Sequence, residues 1–591
     1  IIKHINKIMA ALRLDLIKNY LRPHKKELIL GAFCLIFVNI LSVAIPMEVR
    51  NIVDDLKEGF TFSYVLNKST WLILLATIMG GARLISRQLV FGVGRQVEVS
   101  LRQKLFDRML EQDPGWVQTI GTGEVITRAT SDLENIRRLL GFTVLSLTNT
   151  FLAYTFTLPA MMSIDPLLTF LAISVYPVLL GTVGLFGGRM VKQRKRQQKA
   201  LSELSELIQE DLSGISAIKI YGQEKAEQEA FEKLNIRYRD AAISLARTAS
   251  TLFPLLQGLS SISLLLLIAI GSGQLSSGTL TIGGLVALIL YVERLVFPTA
   301  LLGFTLNTFQ LGQVSLERVE EILNHEPTIK DKINTVNISK PILGKLEAKN
   351  LSIKYEDSTR KVLDEISFKI NPGEIVALVG PVGCGKTTLA KALGRMIKID
   401  EGTLFLDDND VMDLKLKQLR SNIALVPQEG YLFTETLSEN IKYGNPEAST
   451  EKVKESAYEA RMTDDIKGFP DGLKTLVGER GITLSGGQRQ RTALSRALLV
   501  DSKIIILDDA LASVDNKTAS AILQTIKNQY NKTVLMISHQ LSAAAACDRI
   551  LVMNDGKIVQ EGTHQFLIRK DGLYKSMWER EKAKEQIQSD D

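Results

Sequence analysis

Gly380-Pro381-Val382-Gly383-Cys384-Gly385-Lys386-Thr387-Thr388 is the stretch whose reading decides the fold. The apolar run Glu374-Ile375-Val376-Ala377-Leu378-Val379 precedes it and reads as a buried strand. Leu389-Ala390-Lys391-Ala392-Leu393 follows with a helical pattern. Strand, glycine loop and helix in that order form the context that GxxxxGK[ST] requires of a phosphate-binding loop. Glycines let backbone N–H groups turn inward around an anion, and the helix N-terminus adds the positive end of its dipole. Lys386 then reaches the β- and γ-phosphates of a nucleotide, and Thr387 offers a hydroxyl to Mg²⁺. An accidental glycine-rich turn would lack the matching strand and helix.

Around that loop the chain is 591 residues long, too much for one core, and its length predicts on the order of two to four domains. Hydrophobic residues make up 45% and charged residues 23%, an ordinary mean that hides an uneven distribution. Long apolar blocks fill the first half, and the second half has the pattern of an α/β domain. A net charge of +6 is small for this size and makes no case for a nucleic-acid partner. Cys34, Cys384 and Cys547 lie far apart without metal-like spacing, so they read as free thiols. Residues 1–27 read as an amphipathic, basic elbow rather than as a cleavable leader.

Six apolar segments precede the loop, over 28–49, 71–93, 139–164, 167–188, 252–273 and 282–306. Each is long enough to cross a hydrocarbon core of ~30 Å. Buried helices of a large soluble protein are the alternative, but 139–164 and 260–270 are too apolar over too long to suit water. Lys and Arg cluster between the second and third spans and between the fourth and fifth, whereas the other connections are short and poor in them. That asymmetry predicts cytoplasmic long connections, cytoplasmic termini and a cytoplasmic second half. Both long connections keep helical periodicity over 96–112 and 197–212, so the spans continue as helices beyond the bilayer. Each breaks once, at Gly121-Thr122-Gly123-Glu124 and at Gly214 to Tyr221-Gly222, predicting helical hairpins with a short transverse segment at each tip. Arg83, Arg87 and Glu293 are ionisable residues deep in spans, which either face a water-filled cavity independently or let Glu293 pair with Arg83 near mid-membrane depth.

The second half carries further ordered signals. Tyr355 precedes the loop, placed to stack on an adenine ring; Gln428 ends the run Ile423-Ala424-Leu425-Val426-Pro427. Leu484-Ser485-Gly486-Gly487-Gln488 opens a helix. Lys503-Ile504-Ile505-Ile506-Leu507 is a buried strand ending in Asp508 and Asp509, where a Mg²⁺ ligand is expected. His539 follows Val534-Leu535-Met536-Ile537-Ser538.

Over roughly residues 13–580 the chain resembles an ATP-binding cassette (ABC) exporter half-transporter of the multidrug or lipid type. Leu484 to Gln488 reads LSGGQ, the family signature, and with the phosphate loop behind six spans it makes the resemblance highly specific. The resemblance implies an α-helical membrane domain over 28–310, a linker over 311–345, an α/β P-loop ATPase domain over 346–580 and a polar tail over 581–591. It implies ATP and Mg²⁺ as cofactors, with Thr387, Gln428 and Asp508 at the metal. Ser485, Gly486, Gly487 and Gln488 of one copy would contact the ATP held by a second half-transporter. Asp509, His539 and Gln428 take the catalytic positions. Thr122, Gly123, Glu124, Tyr221 and Gly222 fall in the two coupling helices. Glu479 belongs to the segment that reports closure, and Asp515 to the loop between the two ATP sites.

The chain departs from the family at one chemical position. Asp509 stands where the family usually has Glu, one methylene shorter and so ~1.5 Å withdrawn. A general base must come within ~2.6–3.2 Å of the attacking water, so hydrolysis at this site should be weak. Gln540 also replaces the usual Arg, and Leu511-Ala512-Ser513-Val514 lacks the usual Thr and Ser. The resemblance then points to a heterodimer containing one degenerate site, with a homodimer hydrolysing slowly through Asp509 as the alternative. The expected location is a bacterial inner membrane, with the lipid bilayer as partner. Lipid, drug and peptide cargoes all remain open. A soluble ABC ATPase is disfavoured by the six spans, and an importer by the fusion of both halves.

Overall fold

The computed structural model describes residues 14–56, 59, 61–333, 335, 341–355, 360–478, 481, 483–512, 514, 516–527 and 532–590. The readings placed on Glu479, Ser513 and Asp515 lie outside the described residues. The chain divides into two compact units, Ile1–Leu110 with Ile120–His325, and Glu111–Thr119 with Glu326–Asp591.

The first unit is built on six helices: α1 (Ile17–Asp55), α2 (Phe62–Glu111), α3 (Thr122–Ile164), α4 (Pro166–Ser213), α5 (Glu224–Ser276) and α6 (Ile282–Asn324). Each contains a stretch apolar enough to cross a bilayer. At 53 residues α5 is ~80 Å long, more than twice the hydrocarbon thickness, so much of it lies outside the lipid. The same holds for α2 and α4, and their outer parts form the helical extensions that the sequence predicts. Wide-period packing closes the core, in which Leu168, Leu267, Leu288, Tyr291 and Leu295 are fully buried. Two tyrosine hydroxyls in it bond to carbonyls: Tyr291 Oη donates to the Val43 oxygen at 2.7 Å and Tyr176 Oη to that of Val292 at 2.8 Å. With no water in such a core, a protein acceptor offsets the cost of burying each of these hydroxyls.

α6 runs on past 310 to Asn324, taking in 315–323, which reads as helical in the sequence ahead of the polar stretch that begins at His325. Buried Leu316, Val319 and Ile322 repeat at helical spacing there and hold the extension in the unit. Of the two arrangements that the sequence left open, the Glu293–Arg83 ion pair is not formed among the described residues. Successive helix positions turn by ~100°, so Arg294 turns inward, its Nη2 donating to Asn39 Oδ1 at 3.2 Å, while Glu293 is exposed.

The second unit holds two sheets. The smaller has the order β2-β1-β4-β5, with β1 Leu346–Ile353, β2 Leu363–Ile370, β4 Leu404–Leu406 and β5 Asn409–Asp410, all antiparallel. The larger has the order β10-β9-β3-β8-β7-β6, from β3 Ile375–Val379, β6 Ile423–Val426, β7 Ile504–Asp508, β8 Thr533–Ile537, β9 Arg549–Asn554 and β10 Lys557–Gly562. β3, β6, β7, β8 and β9 run parallel, and β10 closes one edge antiparallel. β3, β7 and β8 are buried along their whole lengths, as expected for parallel strands covered on both faces.

Candidate nucleotide site

In an open parallel sheet, ligands bind outside the carboxyl ends of the strands. That edge collects motifs that are scattered in sequence. β3 ends at the phosphate loop, β6 before Gln428, β7 at Asp508 and Asp509, and β8 before His539. The parallel pairing of β3 with β8, β8 with β7 and β7 with β6 puts these four ends side by side.

The loop itself needs its glycines. A Cβ on Gly380 would lie 2.1 Å from the Met553 carbonyl oxygen, so no side chain fits. Gly385 has φ +107° and leads directly into α7 (Lys386–Leu393), and a Cβ there would meet the Val362 oxygen at 2.8 Å. Lys386 is 5% exposed, and its Nζ donates to the carbonyls of Gly380 and Pro381, each at 2.9 Å. The ammonium is thus held inside the loop it would serve. Pro381, Val382 and Gly383 form the outer turn, with Val382 exposed. Cys384 is buried, and burial pushes its thiol up against the opposing pull of Lys386. Thr388 Oγ1 lies 3.4 Å from the hydroxyl of Tyr355, whose partly exposed ring flanks the loop.

Thr387 Oγ1 donates to Asp508 Oδ1 at 3.3 Å. Asp508 is buried, and desolvation pushes its carboxyl above the usual range, against the Thr387 hydrogen bond. A hard cation would relieve that desolvation. Among the described residues no group of three or more His, Cys, Asp or Glu could hold a metal alone. A hydroxyl beside one buried carboxylate fits Mg²⁺, which is bound through one or two carboxylates plus phosphate oxygens rather than in an all-protein cage.

Asp509 is half-buried with φ +51°, in the left-handed region that Asp tolerates better than most residues. Its Oδ1 accepts a long hydrogen bond, 3.4 Å, from the His539 backbone N–H. His539 and Gln428 have exposed side chains. Gln490, which the sequence reading missed, joins two of these positions. Its Nε2 donates to the carbonyls of Gln428 at 3.3 Å and of Asp509 at 3.4 Å. Its place two residues after Gln488 was the available signal. Gln540 Nε2 donates to the Ala512 carbonyl at 3.2 Å.

The signature segment starts α8 (Gly486–Leu499) with a complete capping box. Ser485 Oγ accepts from Gln488 N at 3.2 Å, and Gln488 Oε1 accepts from Ser485 N at 2.9 Å. Leu484 is buried beneath, while Ser485 and Gly486 are exposed and Gly487 partly so. The segment is therefore rigid and faces outward.

In the first unit, Thr122, Gly123 and Glu124 open α3 as the expected short tip. Glu124 accepts from Arg128 at 2.9 Å and from Arg318 at 2.7 Å, while Arg128 also meets Glu321 at 2.8 Å. Arg318 lies 3.0 Å from the buried Asp132. This ion network locks the tip to the end of α6. The other tip is the helix Ile215–Tyr221, stopped by Gly222 at a left-handed φ of 60°. Ile220 and Tyr221 are exposed there at 77% and 75%. Asp113 was also missed by the sequence reading. It belongs to the second unit, and its carboxylate accepts from Thr328 N at 2.8 Å, Thr328 Oγ1 at 2.6 Å and Ile329 N at 3.2 Å.

Comparison with known proteins covers both units. A family profile for the ABC transporter transmembrane region matches residues 28–299, and an ABC transporter profile matches residues 363–512. The chain is 33% identical to a probable multidrug resistance ABC transporter ATP-binding/permease protein of Bacillus subtilis, over 93% of this chain and 94% of that protein. It is 30% identical to an ATP-dependent lipid A-core flippase of Colwellia psychrerythraea, over 94% of each chain. The solved structure of a bacterial Atm1-family ABC exporter with ATP bound aligns with a TM-score of 0.76 at 26% identity, over 95% of this chain and 98% of that one.

Proposed function

The chain belongs to the ABC transporter family, and we propose that it exports a lipophilic or amphipathic substrate as one half of a dimeric ATP-driven transporter. The carrying observation is that the phosphate loop, Asp508, Asp509, Gln428 and His539 meet on one sheet edge in a chain that also has six apolar helices. Exporter relatives matched along nearly their full length support the direction of transport. The relatives named for drugs and for a lipid support a lipophilic cargo. Basic residues in the long extensions support a cytoplasmic ATPase unit and cytoplasmic termini, and the bacterial relatives support a bacterial inner membrane.

Within the site, Lys386 and the loop amides bind the ATP phosphates, and Tyr355 stacks on the base. Thr387 and Asp508 would hold Mg²⁺, aided by Gln428, and the cation would supply charge neutralisation at the phosphates. The rigid, outward-facing Ser485–Gln488 segment suits contact with a nucleotide on a second half-transporter. The tips at 122–124 and 215–222 would transmit its closure.

The second half-transporter is a different chain in this reading. Asp509 is short for a general base, and its carboxylate is directed to the His539 backbone. A partner carrying Glu would then supply most of the hydrolysis, using this chain's intact signature. Purification of the chain alone, compared with co-expression beside a candidate half-transporter, tests this. The expected result is slow hydrolysis alone and brisk hydrolysis in the pair, lost on Gly486→Asp but little changed by Asp509→Ala. A stable homodimer with brisk activity, abolished by Asp509→Ala, would refute the heterodimer.

A further inference from the structure

His539 stands in the three residues Ser538 to Gln540 that link β8 to the short helix α9 (Leu541–Ala544). On the strand side this turn is held by backbone, because Ser538 N–H donates to the Leu378 carbonyl at 3.3 Å. Ser538 Oγ accepts from Gln540 N–H at 2.9 Å and closes the turn on itself. On the other side the turn depends on α9, whose first amides have no partner within the helix. A helix this short is marginal by itself, so whatever accepts from those amides sets where the turn sits. Gln540, at the N-cap, makes no side-chain bond to them; its Nε2 donates instead to the Ala512 carbonyl.

The acceptor comes from the carboxyl-terminal helix α10 (Leu573–Asp590). Both oxygens of Glu581 accept from Leu541 N–H at 3.0 Å, and Oε1 also accepts from Ser542 N–H at 3.1 Å. α10 is anchored by one face. Tyr574 is fully buried, and Met577 and Trp578 pack partly buried against the same core. Tyr574 N–H donates to Gln560 Oε1 at 3.0 Å, and its hydroxyl lies 2.7 Å from His564 Nδ1. Positions 574, 577, 578 and 581 keep helical spacing, so Glu581 falls on that inward face, one turn beyond Trp578.

The turn so fixed reaches the reacting end of the sheet in two places. His539 N–H donates to Asp509 Oδ1 at 3.4 Å, and Gln540 meets the Ala512 carbonyl three residues further on. One carboxylate on the last helix thus ends a chain of hydrogen bonds that runs through the His539 turn to Asp509. We propose that Glu581 is a positioning residue for ATP hydrolysis: by capping α9 it sets where His539 stands over the site and how Asp509 is held beneath it. Glu581 acts through the backbone of 541 and 542, and so governs the rate of the chemical step rather than the binding of ATP. This inference rests on the ATPase reading of the site and adds to it a residue from the far end of the chain.

The test uses the full chain in phosphatidylcholine nanodiscs, in excess over radiolabelled ATP, so that a single turnover at this chain's own site is read. Glu581→Ala should slow that turnover about tenfold, within the ~100-fold that a misplacement of about 1 Å costs at a reacting centre. ATP affinity, titrated with a fluorescent analogue, should stay unchanged. The order of the substitutions shows how the residue acts. Glu581→Gln keeps an acceptor oxygen of the same reach without the charge, and should retain most of the rate. Glu581→Asp keeps the charge but withdraws the oxygens by ~1.5 Å, and should fall nearly as low as Glu581→Ala. Arg580→Ala, at the exposed neighbouring position, should leave the rate as it is. An unchanged rate in Glu581→Ala, an equal loss in Arg580→Ala, or a loss of ATP affinity that matches the loss of rate would overturn the inference. So would Glu581→Asp outpacing Glu581→Gln, which would make the effect one of charge at the helix end. Should Glu581→Ala fail to fold, the Gln and Asp variants decide by the same order. Lys386→Ala in the same preparation separates the two readings: hydrolysis that is absent or independent of Lys386 sinks the ATPase reading, whereas Lys386-dependent hydrolysis indifferent to Glu581 sinks the positioning role alone.

Discussion

Replacing Asp509 by Glu is the perturbation that separates geometry from chemistry at this ATP site. Both side chains carry the same charge, and Glu extends the carboxylate by one methylene, ~1.5 Å. At present Asp509 Oδ1 lies 3.4 Å from the His539 backbone N–H. A general base contributes roughly 10²–10⁴-fold when it reaches its water within hydrogen-bond distance. Recovering part of that reach should raise turnover at this site by about 10- to 100-fold. An opposing effect comes from the backbone, because position 509 has φ +51°. Asp is favoured over Glu in the left-handed region, so the variant should lose on the order of 1 kcal/mol of stability. The rate gain exceeds that penalty, and the two are read separately. Single-turnover hydrolysis, with protein in excess over labelled ATP, isolates the chemical step, and thermal unfolding of the same samples reports stability. A faster single turnover with slightly lower stability is expected. No acceleration, with ATP binding intact, would refute the view that side-chain length limits the rate.

Three further outcomes follow from particular contacts. Lys386→Ala removes a buried ammonium and its charge-assisted contacts to phosphate, and should weaken ATP binding by about 3 kcal/mol, ~100-fold, in a titration with a fluorescent ATP analogue; a loss below about threefold would exclude the phosphate-loop role. Tyr221→Ala should leave ATP binding intact, because the side chain is 75% exposed, yet lower cargo-stimulated ATPase activity; persistence of that stimulation would remove the coupling role from this tip. Arg128→Ala strips partners from Glu124 and Glu321 around a 7% exposed guanidinium and should destabilise the first unit by about 2–3 kcal/mol, seen as a lowered melting temperature; a change under ~0.5 kcal/mol would show that the network does not hold the tip.

Legibility in the sequence followed the range of the interactions involved. Six spans were readable because membrane insertion selects long apolar runs, a property of composition alone. The phosphate loop was readable because Gly380 and Gly385 answer local demands: one sits against the Met553 carbonyl and the other takes a left-handed φ. Asp508 was readable as the end of an unbroken apolar strand. What could not be read was which motifs become neighbours. The strand order β9-β3-β8-β7-β6 brings Gln428 and His539 to the loop, and that order depends on crossover connections rather than on any short pattern. Gln490 escaped notice for this reason: its partners are two backbone carbonyls 62 and 19 residues away.

The membrane unit failed in a different way. A helix in lipid carries little amphipathic signal, so sequence does not fix its rotation. Offering Glu293 as one possible partner of Arg83 followed from opposite charge and similar depth. Yet adjacent positions on a helix turn by ~100°, and it is Arg294 that turns inward onto Asn39. The same reasoning explains Arg318, Arg128 and Asp132. They stand in helical stretches rich in charge, where any face could be solvated, and only packing of α3 on α6 brings them into one network. Depth and sign set which residues could pair, and the rotation of each helix sets which one does: among the described residues Arg294 meets a neutral amide, and Arg83 reaches the Met79 sulfur rather than a carboxylate.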